Sequence, residues 1–160
     1  MIFRRDRWFH IENRDSRMVE AKIQIFRASL GAKVYRDFEI LSAKNLYDLA
    51  GAIVGVFGFD FDHAFGFYSK LTGHVFDSPV KYELFADMGE SGARSVKRTR
   101  IIDAFPAIGA KMTFLFDYGD NWQFRIELIG QSRKEPRVRY PRLLKAIGKA
   151  PEQYPDADDE

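Results

Sequence analysis

The sequence predicts an α+β fold: a two-layer single domain with a mixed, largely antiparallel sheet, the element order β-β-α-β…α-β-β, and helices on one face. Three observations lead to this prediction: a hairpin pattern near each end, one amphipathic helix after the first hairpin, and a length of 160 residues that suits one domain. Hairpins at both ends are incompatible with a doubly wound parallel sheet, because parallel strands need crossover connections.

The first hairpin and the helix after it have the clearest patterns. Within Glu20 to Leu30, apolar Ala21, Ile23 and Ile25 alternate with Lys22 and Gln24, and within Val34 to Ile40 the apolar residues Val34, Phe38 and Ile40 share one face. A period of two is typical of half-buried strands. Ser42 can cap a helix, and apolar residues then recur at helical spacing from Leu46 to Phe57. We therefore expect two strands followed by a helix that ends near Gly58.

The patterns are weaker in the rest of the chain. The predicted elements are a turn entering a strand over 59–68, short strands at Val75-Phe76 and Val80 to Phe85, a loop over 87–92, a short helix from Arg98 to Phe105, a hairpin of 111–116 and 122–129, and a terminal helix from Tyr140 to Gly148. The predicted domain organisation is an N-terminal arm at 1–19, the α+β domain at 20–150, and a disordered acidic tail at 151–160.

Composition and charge limit the function classes. The chain has no Cys, which excludes disulfide frameworks, thiolate metal sites and Cys nucleophiles. The start of the sequence lacks a secretory signal pattern, and the weakly polar run from Leu49 to Phe59 is too short to cross a bilayer. We therefore expect a cytoplasmic protein without a membrane partner.

The near-neutral net charge is unevenly distributed. The whole chain carries +2 and residues 151–160 contribute −5, so residues 1–150 carry +7. Clusters of Lys and Arg in these residues would suit phosphate-rich partners, although most runs of charged residues are simply solvated faces. The acidic tail is a solubilising end or a competitor for the basic body. The candidate nucleic-acid-binding residues are Arg94, Lys97, Arg98, Arg100, Arg137, Arg139 and Arg142; Arg133, Lys134 and Lys145 belong to the same basic stretches.

Two aspartates flank the turn of the second hairpin. Asp117 and Asp120 can accept backbone N–H bonds there, and Gly119 tolerates a positive φ, so turn architecture explains both aspartates. A metal site is the alternative, which needs several carboxylates or a His to converge. The sequence matches no known metal loop, so we predict no metal and no cofactor. The residues that could converge are Asp60, Asp62, His63, Asp117 and Asp120.

Two segments carry a family resemblance: Gly58-Phe59-Asp60-Phe61-Asp62-His63-Ala64-Phe65-Gly66-Phe67 and Phe114-Leu115-Phe116-Asp117-Tyr118-Gly119-Asp120-Asn121-Trp122. Together they resemble the family named after the third open reading frame of a root-inducing plasmid, and the ending from Ala150 to Pro155 is similar to one of its branches. The resemblance implies an α+β fold and an association with mobile elements, without an established activity or catalytic residues. The motif residues predicted to be structural are Gly58, Asp62, His63, Asp117, Gly119, Asp120 and Trp122.

Two features of that family fit this chain poorly. Members commonly have a His two places after the motif Trp, where this chain has Phe124. Some members carry a resolvase label, but Ser91 and Ser95 lie in a Gly-bordered loop without the scaffold of a serine nucleophile. A two-helix unit for reading DNA is also missing from the predicted elements. We therefore predict no catalytic residues and do not expect a resolvase.

Three hypotheses about function stay open. The first is a non-enzymatic binding module that contacts nucleic acid or an acidic protein through its basic segments. The second is a structural or protein-interaction domain that forms a homodimer through exposed aromatic residues. Most aromatics between Phe57 and Phe76 are expected in the core, with Phe61, Phe65 or Tyr68 as the exposed candidates. The third is a metal-dependent hydrolase.

Overall fold

A computed structural model describes residues 22–89 and 92–155. The predicted α+β class is confirmed, because these residues are mostly sheet, with eight strands and few helices. The elements are β1 (Lys22–Leu30), β2 (Val34–Leu41), α1 (Leu46–Val56), β3 (Phe65–Tyr68), a 3₁₀ helix (Val75–Asp77), β4 (Lys81–Glu83), a second 3₁₀ helix (Ala86–Met88), β5 (Arg94–Ser95), α2 (Ile101–Ala104), β6 (Lys111–Phe116), β7 (Trp122–Arg133) and β8 (Arg142–Ile147). The predicted arm at 1–19, Ser91 and the end of the acidic tail at 156–160 lie outside the described residues.

The strands form one sheet in the order β5-β4-β3-β6-β7-β1-β2-β8. The pairings are antiparallel except for the parallel pair β4–β5. Both predicted hairpins are present, β1–β2 and β6–β7, and the two strands β1 and β7 pair in the middle of the sheet. No helix of the described residues is long and apolar enough to cross a membrane.

Helix α1 lies on one face of the sheet and fills the core there. Phe57, at its C-cap, has its ring centroid 4.9 Å from that of Phe124 on β7. Phe26 and Phe38, opposite each other on β1 and β2, are fully buried in the same core cluster. Burial of such side chains stabilises the fold by about 1.5–3 kcal/mol each relative to exposure.

The opposite face of the sheet is polar around β1 and β2. Arg27 on β1 donates two hydrogen bonds to the carboxylate of Asp37 on β2, at 2.8 and 2.9 Å. The same guanidinium lies 4.1 Å above the ring of Tyr35, which places a cation and an aromatic ring together on this face. Arg27 and Asp37 therefore neutralise each other across the two strands.

The N-cap of α1 is Asn45, so the prediction that Ser42 caps the helix was wrong. The Asn45 Oδ1 accepts a hydrogen bond from the Asp48 N–H at 2.9 Å, and the Asp48 carboxylate accepts one from the Asn45 N–H. Ser42 instead continues the sheet, since its N–H donates to the Lys22 carbonyl at 3.0 Å. The predicted end of the helix near Gly58 is confirmed, with Gly58 at φ 73°.

The predicted terminal helix from Tyr140 to Gly148 was wrong, because this segment forms β8. It pairs with β2 from Tyr35 opposite Ile147 to Glu39 opposite Arg142, with a register shift that leaves Leu144 without a partner. Backbone bonds to β2 and the Arg142–Glu39 ion pair at 3.0 Å outweigh the short amphipathic pattern of the segment. The helix propensity of a six-residue segment predicts its conformation poorly when the segment can pair with the edge of a sheet.

Two further predictions need correction. Val75-Phe76 belongs to a 3₁₀ helix, in which the Asp77 N–H donates to the His74 carbonyl. The helix predicted from Arg98 to Phe105 is shorter in the structure, where only α2 is helical. The carbonyls of residues before α2 accept hydrogen bonds from the first residues of α1 instead. The Thr99 carbonyl accepts from the Leu46 N–H and the Val96 carbonyl from the Tyr47 N–H, at 3.0 and 3.3 Å.

Candidate functional site

The two motif segments of the family resemblance lie against each other. The Asp117 N–H at the start of the hairpin turn donates to the Ala64 carbonyl at 2.9 Å. The His63 Nε2 lies 3.5 Å from the Asp117 Oδ2, and the imidazole ring meets the Phe116 ring edge-on. The residues that the sequence singled out at 58–67 and 114–122 therefore form one site.

The hairpin turn is built around Asp117. Its carboxylate Oδ1 accepts hydrogen bonds from the Gly119 and Asp120 N–H groups at 3.1 and 3.2 Å. Its φ is 61° and that of Asn121 is 57°, a left-handed conformation that Asp and Asn tolerate better than most residues. The positive φ expected at Gly119 lies instead at Asp117 and Asn121, and the hydrogen bonds of the Asp117 carboxylate explain why the turn has Asp at this position.

Aromatic packing joins the helix end to the hairpin. The ring of Phe59 lies 4.9 Å from the motif Trp122, and Phe57 lies at the same distance from Phe124. Phe124, where family members commonly have a His, is fully buried among these rings. Residue 124 thus contributes a phenyl ring to the core and no imidazole to the site.

The C-terminal segment binds to the same site. The Gln153 side chain accepts a hydrogen bond from the Asp60 N–H at 2.7 Å and donates one to the Asp60 carbonyl at 3.1 Å. The Tyr154 hydroxyl donates to the Asp62 Oδ2 at 2.8 Å and lies 3.1 Å from the His63 Nδ1. Gln153 and Tyr154, which the sequence analysis grouped with the acidic tail, thus contact the motif directly.

We call Asp62, His63, Asp117 and Tyr154 the Asp–His–Tyr cluster. The His63 Nδ1 lies 2.7 Å from the Asp62 Oδ1, and this hydrogen bond raises the pKa of His63, with burial opposing it and the charges of Asp117 and Asp120 adding to it. The Tyr154 hydrogen bond lowers the pKa of Asp62. Burial and the Asp62 bond raise the pKa of Tyr154 to about 12, so its phenol stays neutral and is a poor nucleophile.

The metal alternative finds no support in this arrangement. In the parts of the chain that the structure covers, no group of three or more His, Cys, Asp or Glu side chains is placed to hold a metal ion. Asp62 and His63 bond to each other and to Tyr154, while Asp117 serves the turn. Of the five residues that could converge, Asp62, His63 and Asp117 meet, and their polar atoms are used within the protein, whereas Asp60 and Asp120 form hydrogen bonds there through their backbones.

The candidate nucleic-acid-binding residues are dispersed, and several are ion-paired. Arg98 lies 3.8 Å from Asp87, Arg100 lies 3.1 Å from Asp103, and Arg142 contacts Glu39 and Glu135. Arg94 and Lys97 lie beside aromatic rings, with the Lys97 Nζ 5.3 Å from the Tyr47 ring. Arg137 and Arg139 are exposed in the segment between β7 and β8.

The serine considered for a resolvase is used locally. The Ser95 hydroxyl donates to the Asp87 carboxylate at 2.9 Å and accepts a hydrogen bond from the Arg98 N–H at 3.3 Å. A serine nucleophile needs a neighbouring base that takes its proton and arginines that hold a phosphate. Asp87 is also the ion-pair partner of Arg98, so the three groups form a local surface network.

Sequence reasoning missed a groove between α1 and β8. Its volume is about 650 Å³, and its lining includes Tyr47, Gly51, Gly55, Phe61 and Leu143. Gly51 and Gly55 are four residues apart on α1 and so lie on one helix face. The spacing of the two glycines is the one feature of the sequence that indicates a groove on this helix. The opposite wall includes Leu143 of β8, and the sequence pattern predicted a helix there instead of a strand.

We expect the pKa of His63 to lie above its usual 6.5 and to fall in the Asp62→Asn variant, because the Asp62 bond is the main cause of the shift. A raised pKa means that protonation of His63 stabilises the folded state below pH 6.5 and that this contribution is lost as the pH rises through the folded pKa. NMR titration of the ring protons measures this, with the His10 and His74 resonances followed in the same spectra. An identical His63 titration curve in the variant would contradict the assignment.

The sequence of residues 17–154 matches the family described as plasmid pRiA4b ORF-3-like protein. No curated protein matches the sequence. The fold is similar to the crystal structure of a protein of unknown function, MM3350, from Methanosarcina mazei Go1, with a TM-score of 0.64 and 20% identity over 81% of this chain and 71% of that chain. This likeness concerns the fold alone, whereas the family match spans both motif segments and the C-terminal Gln153 and Tyr154: the chain belongs to the plasmid pRiA4b ORF-3-like protein family.

Proposed function

We propose that this protein is a non-enzymatic binding module whose groove between α1 and β8 takes an acidic, apolar segment of a protein partner. The groove carries the proposal, because it combines partly exposed aromatic rings with a helix face on which two positions, Gly51 and Gly55, have no side chain. Ligand sites are commonly concave and mostly apolar, with a few polar groups that fix orientation. The family association with mobile elements adds no ligand chemistry to this proposal.

The walls of the groove favour apolar side chains. Tyr47 and Phe61 are each 37% exposed, and their ring centroids are 5.3 Å apart. Leu143 on β8, across the groove, is 50% exposed. Exposed apolar groups gathered in one groove are typical of interaction sites. Between these walls, Gly55 has open space above it and lets a partner approach the helix backbone closely, whereas the Phe61 ring covers Gly51.

The charge near the groove favours an acidic partner. Lys44 lines the groove, and the Lys97 Nζ lies over the ring of Tyr47, 5.3 Å from its centroid. Arg139 is exposed beside Tyr140, which also lines the groove. Asp48 is the acidic residue among the lining side chains. Lys44 and Asp48 balance each other among the lining residues, and Lys97 beside Tyr47 adds a positive charge that attracts acidic segments and disfavours basic ones.

A protein partner is favoured over nucleic acid for two reasons. Nucleic acids are bound by cations that follow the phosphate backbone. Here Arg98, Arg100 and Arg142 are engaged with carboxylates of the protein. The groove itself is walled largely by aliphatic and aromatic side chains, so it offers apolar contact rather than a row of phosphate sites.

The test uses two matched sets of fluorescein-labelled twelve-residue peptides, in which the same Leu and Phe residues alternate with either Asp and Glu or Lys. Fluorescence anisotropy should show micromolar binding of the acidic set, weakened by salt, and none of the Lys set. A Gly55→Arg variant should abolish this binding, because its side chain would project into the groove. Gly55 has nothing within 4 Å of an added Cβ, so the variant should fold normally.

The control variant is Ser132→Arg, which adds the same charge at an exposed position of β7 and should leave peptide binding unchanged. Oligo-dT and oligo-U, each twenty nucleotides long, are titrated under the same conditions. Failure of every acidic peptide to bind, or equal binding by wild type and Gly55→Arg, would refute the groove as the site. Tight oligonucleotide binding without peptide binding would replace the proposal with nucleic-acid recognition.

A further inference from the structure

We propose that residues 151–155 form a latch that fixes Phe61 and thereby sets the shape of the groove, so that ligand affinity depends on whether the latch is engaged. This inference rests on the binding function proposed above and adds its regulation. The latch acts on the loop between α1 and β3, which carries Asp62 and His63 of the Asp–His–Tyr cluster and Phe61 of the groove wall.

The loop is anchored at both ends by the body of the protein. The Phe59 N–H donates to the Val54 carbonyl of α1 at 3.0 Å, and the Ala64 carbonyl accepts from the Asp117 N–H at 2.9 Å. Between these anchors, the backbone of Asp60 is held by the Gln153 side chain through its N–H and its carbonyl. A glutamine amide that bonds both groups of one residue replaces the pairing that a neighbouring strand would give.

The second contact of the latch is made to side chains of the loop. Tyr154 donates to the Asp62 Oδ2, and the Gln153 Nε2 lies 3.3 Å from the Asp62 Oδ1. The Tyr154 ring also packs beside the His63 ring, with centroids 6.1 Å apart. The latch therefore holds Asp60 and Asp62, the two residues that flank Phe61.

Phe61 connects the latch to the groove. Its ring lies against Tyr47 and Phe65, with centroid distances of 5.3 Å to each, and its Cε1 would be 3.5 Å from a Cβ on Gly51. The ring remains partly exposed, so packing alone does not enclose it. Holding the backbone on both sides of Phe61 reduces its freedom, and a pre-organised wall costs a ligand less ordering entropy.

The test compares full-length Tyr154→Phe and Gln153→Ala with wild type. Tyr154→Phe removes one hydroxyl and keeps the ring, while Gln153→Ala removes the bonds to Asp60. The control is Gln123→Ala, which deletes an exposed amide bonded to Asn121 on the hairpin and leaves the latch intact. Amide hydrogen exchange of residues 59–63, methyl NMR resonances of Ala52 and Val56, and acidic-peptide affinity are measured for each.

We expect both latch variants to accelerate exchange at 59–63 and to shift the methyl resonances of Ala52 and Val56. Peptide binding should weaken by about tenfold, the factor that corresponds to the free energy of roughly one hydrogen bond. Unchanged exchange or unchanged methyl spectra would overturn the latch, whether or not peptides bind. Faster exchange with unchanged affinity would also overturn it. If wild type binds no peptide while exchange and methyl shifts respond, the proposed ligand is wrong and the latch still shapes the groove.

Discussion

Replacing Phe124 with Ala should lower the free energy of unfolding by about 3–5 kcal/mol, the range for truncating a buried aromatic side chain. Phe124 is fully buried, and its ring contacts those of Phe57, Phe59 and Phe114 with centroid distances of 4.9, 6.2 and 5.7 Å. Because these rings come from the helix end, the loop after it and β6, the cavity would affect both motif segments at once.

Urea unfolding followed by circular dichroism measures this effect. The matched control is Phe85→Ala, since Phe85 is 57% exposed and its truncation should cost less than about 1 kcal/mol. Phe124→His should also destabilise, by about 1–3 kcal/mol, because a buried imidazole would lack a hydrogen-bond partner among these rings. Wild-type stability in Phe124→Ala would contradict the packing described for this position.

Gly66→Ala should destabilise the protein by about 2–4 kcal/mol, from overpacking and from loss of a buried hydrogen bond. A Cβ on Gly66 would lie 2.8 Å from Cε2 and the hydroxyl oxygen of Tyr68, closer than van der Waals contact allows. The Tyr68 ring has little room to move, because it is fully buried, donates to Glu83 at 2.8 Å and lies 3.1 Å from the Tyr118 hydroxyl.

The same unfolding measurement tests Gly66→Ala against Gly89→Ala. Gly89 is exposed, has a φ of −156° and has nothing within 4 Å of an added Cβ, so its substitution should be nearly neutral. Near-UV circular dichroism should also change in Gly66→Ala, because Tyr68 and Tyr118 would be displaced. A loss below about 1 kcal/mol would mean that the Tyr68 ring moves aside without strain.

The sequence predicts the elements whose patterns are local. Alternation from Trp122 to Leu128 and the helical spacing from Leu46 to Phe57 each match one element, because the residues that face the core repeat with the period of that element. The segment from Tyr140 to Gly148 could not be assigned in this way. Its conformation depends on the free edge of β2, a partner about a hundred residues earlier in the chain, and its own pattern favours a helix.

The candidate site was predictable in part. The Asp-rich turn and the Asp62-His63 pair were visible as motifs, and their spacing left open whether they meet. Gln153 and Tyr154 could not be placed, because a short polar and aromatic segment after Pro151 carries no periodicity that indicates where it binds. The groove could not be predicted, because one of its walls is β8 and the sequence pattern predicted a helix in place of that strand.

The two ends of the sheet bear on how another protein could attach to it. Open strand edges invite pairing with other chains unless they are short, bulged or charged. Strand β5 has two residues, and β8 carries Arg142 and Lys145 on either side of the irregularity at Leu144. Extension of the sheet by a foreign strand is therefore discouraged at both ends, which leaves surfaces built from side chains as the favoured route for molecular recognition.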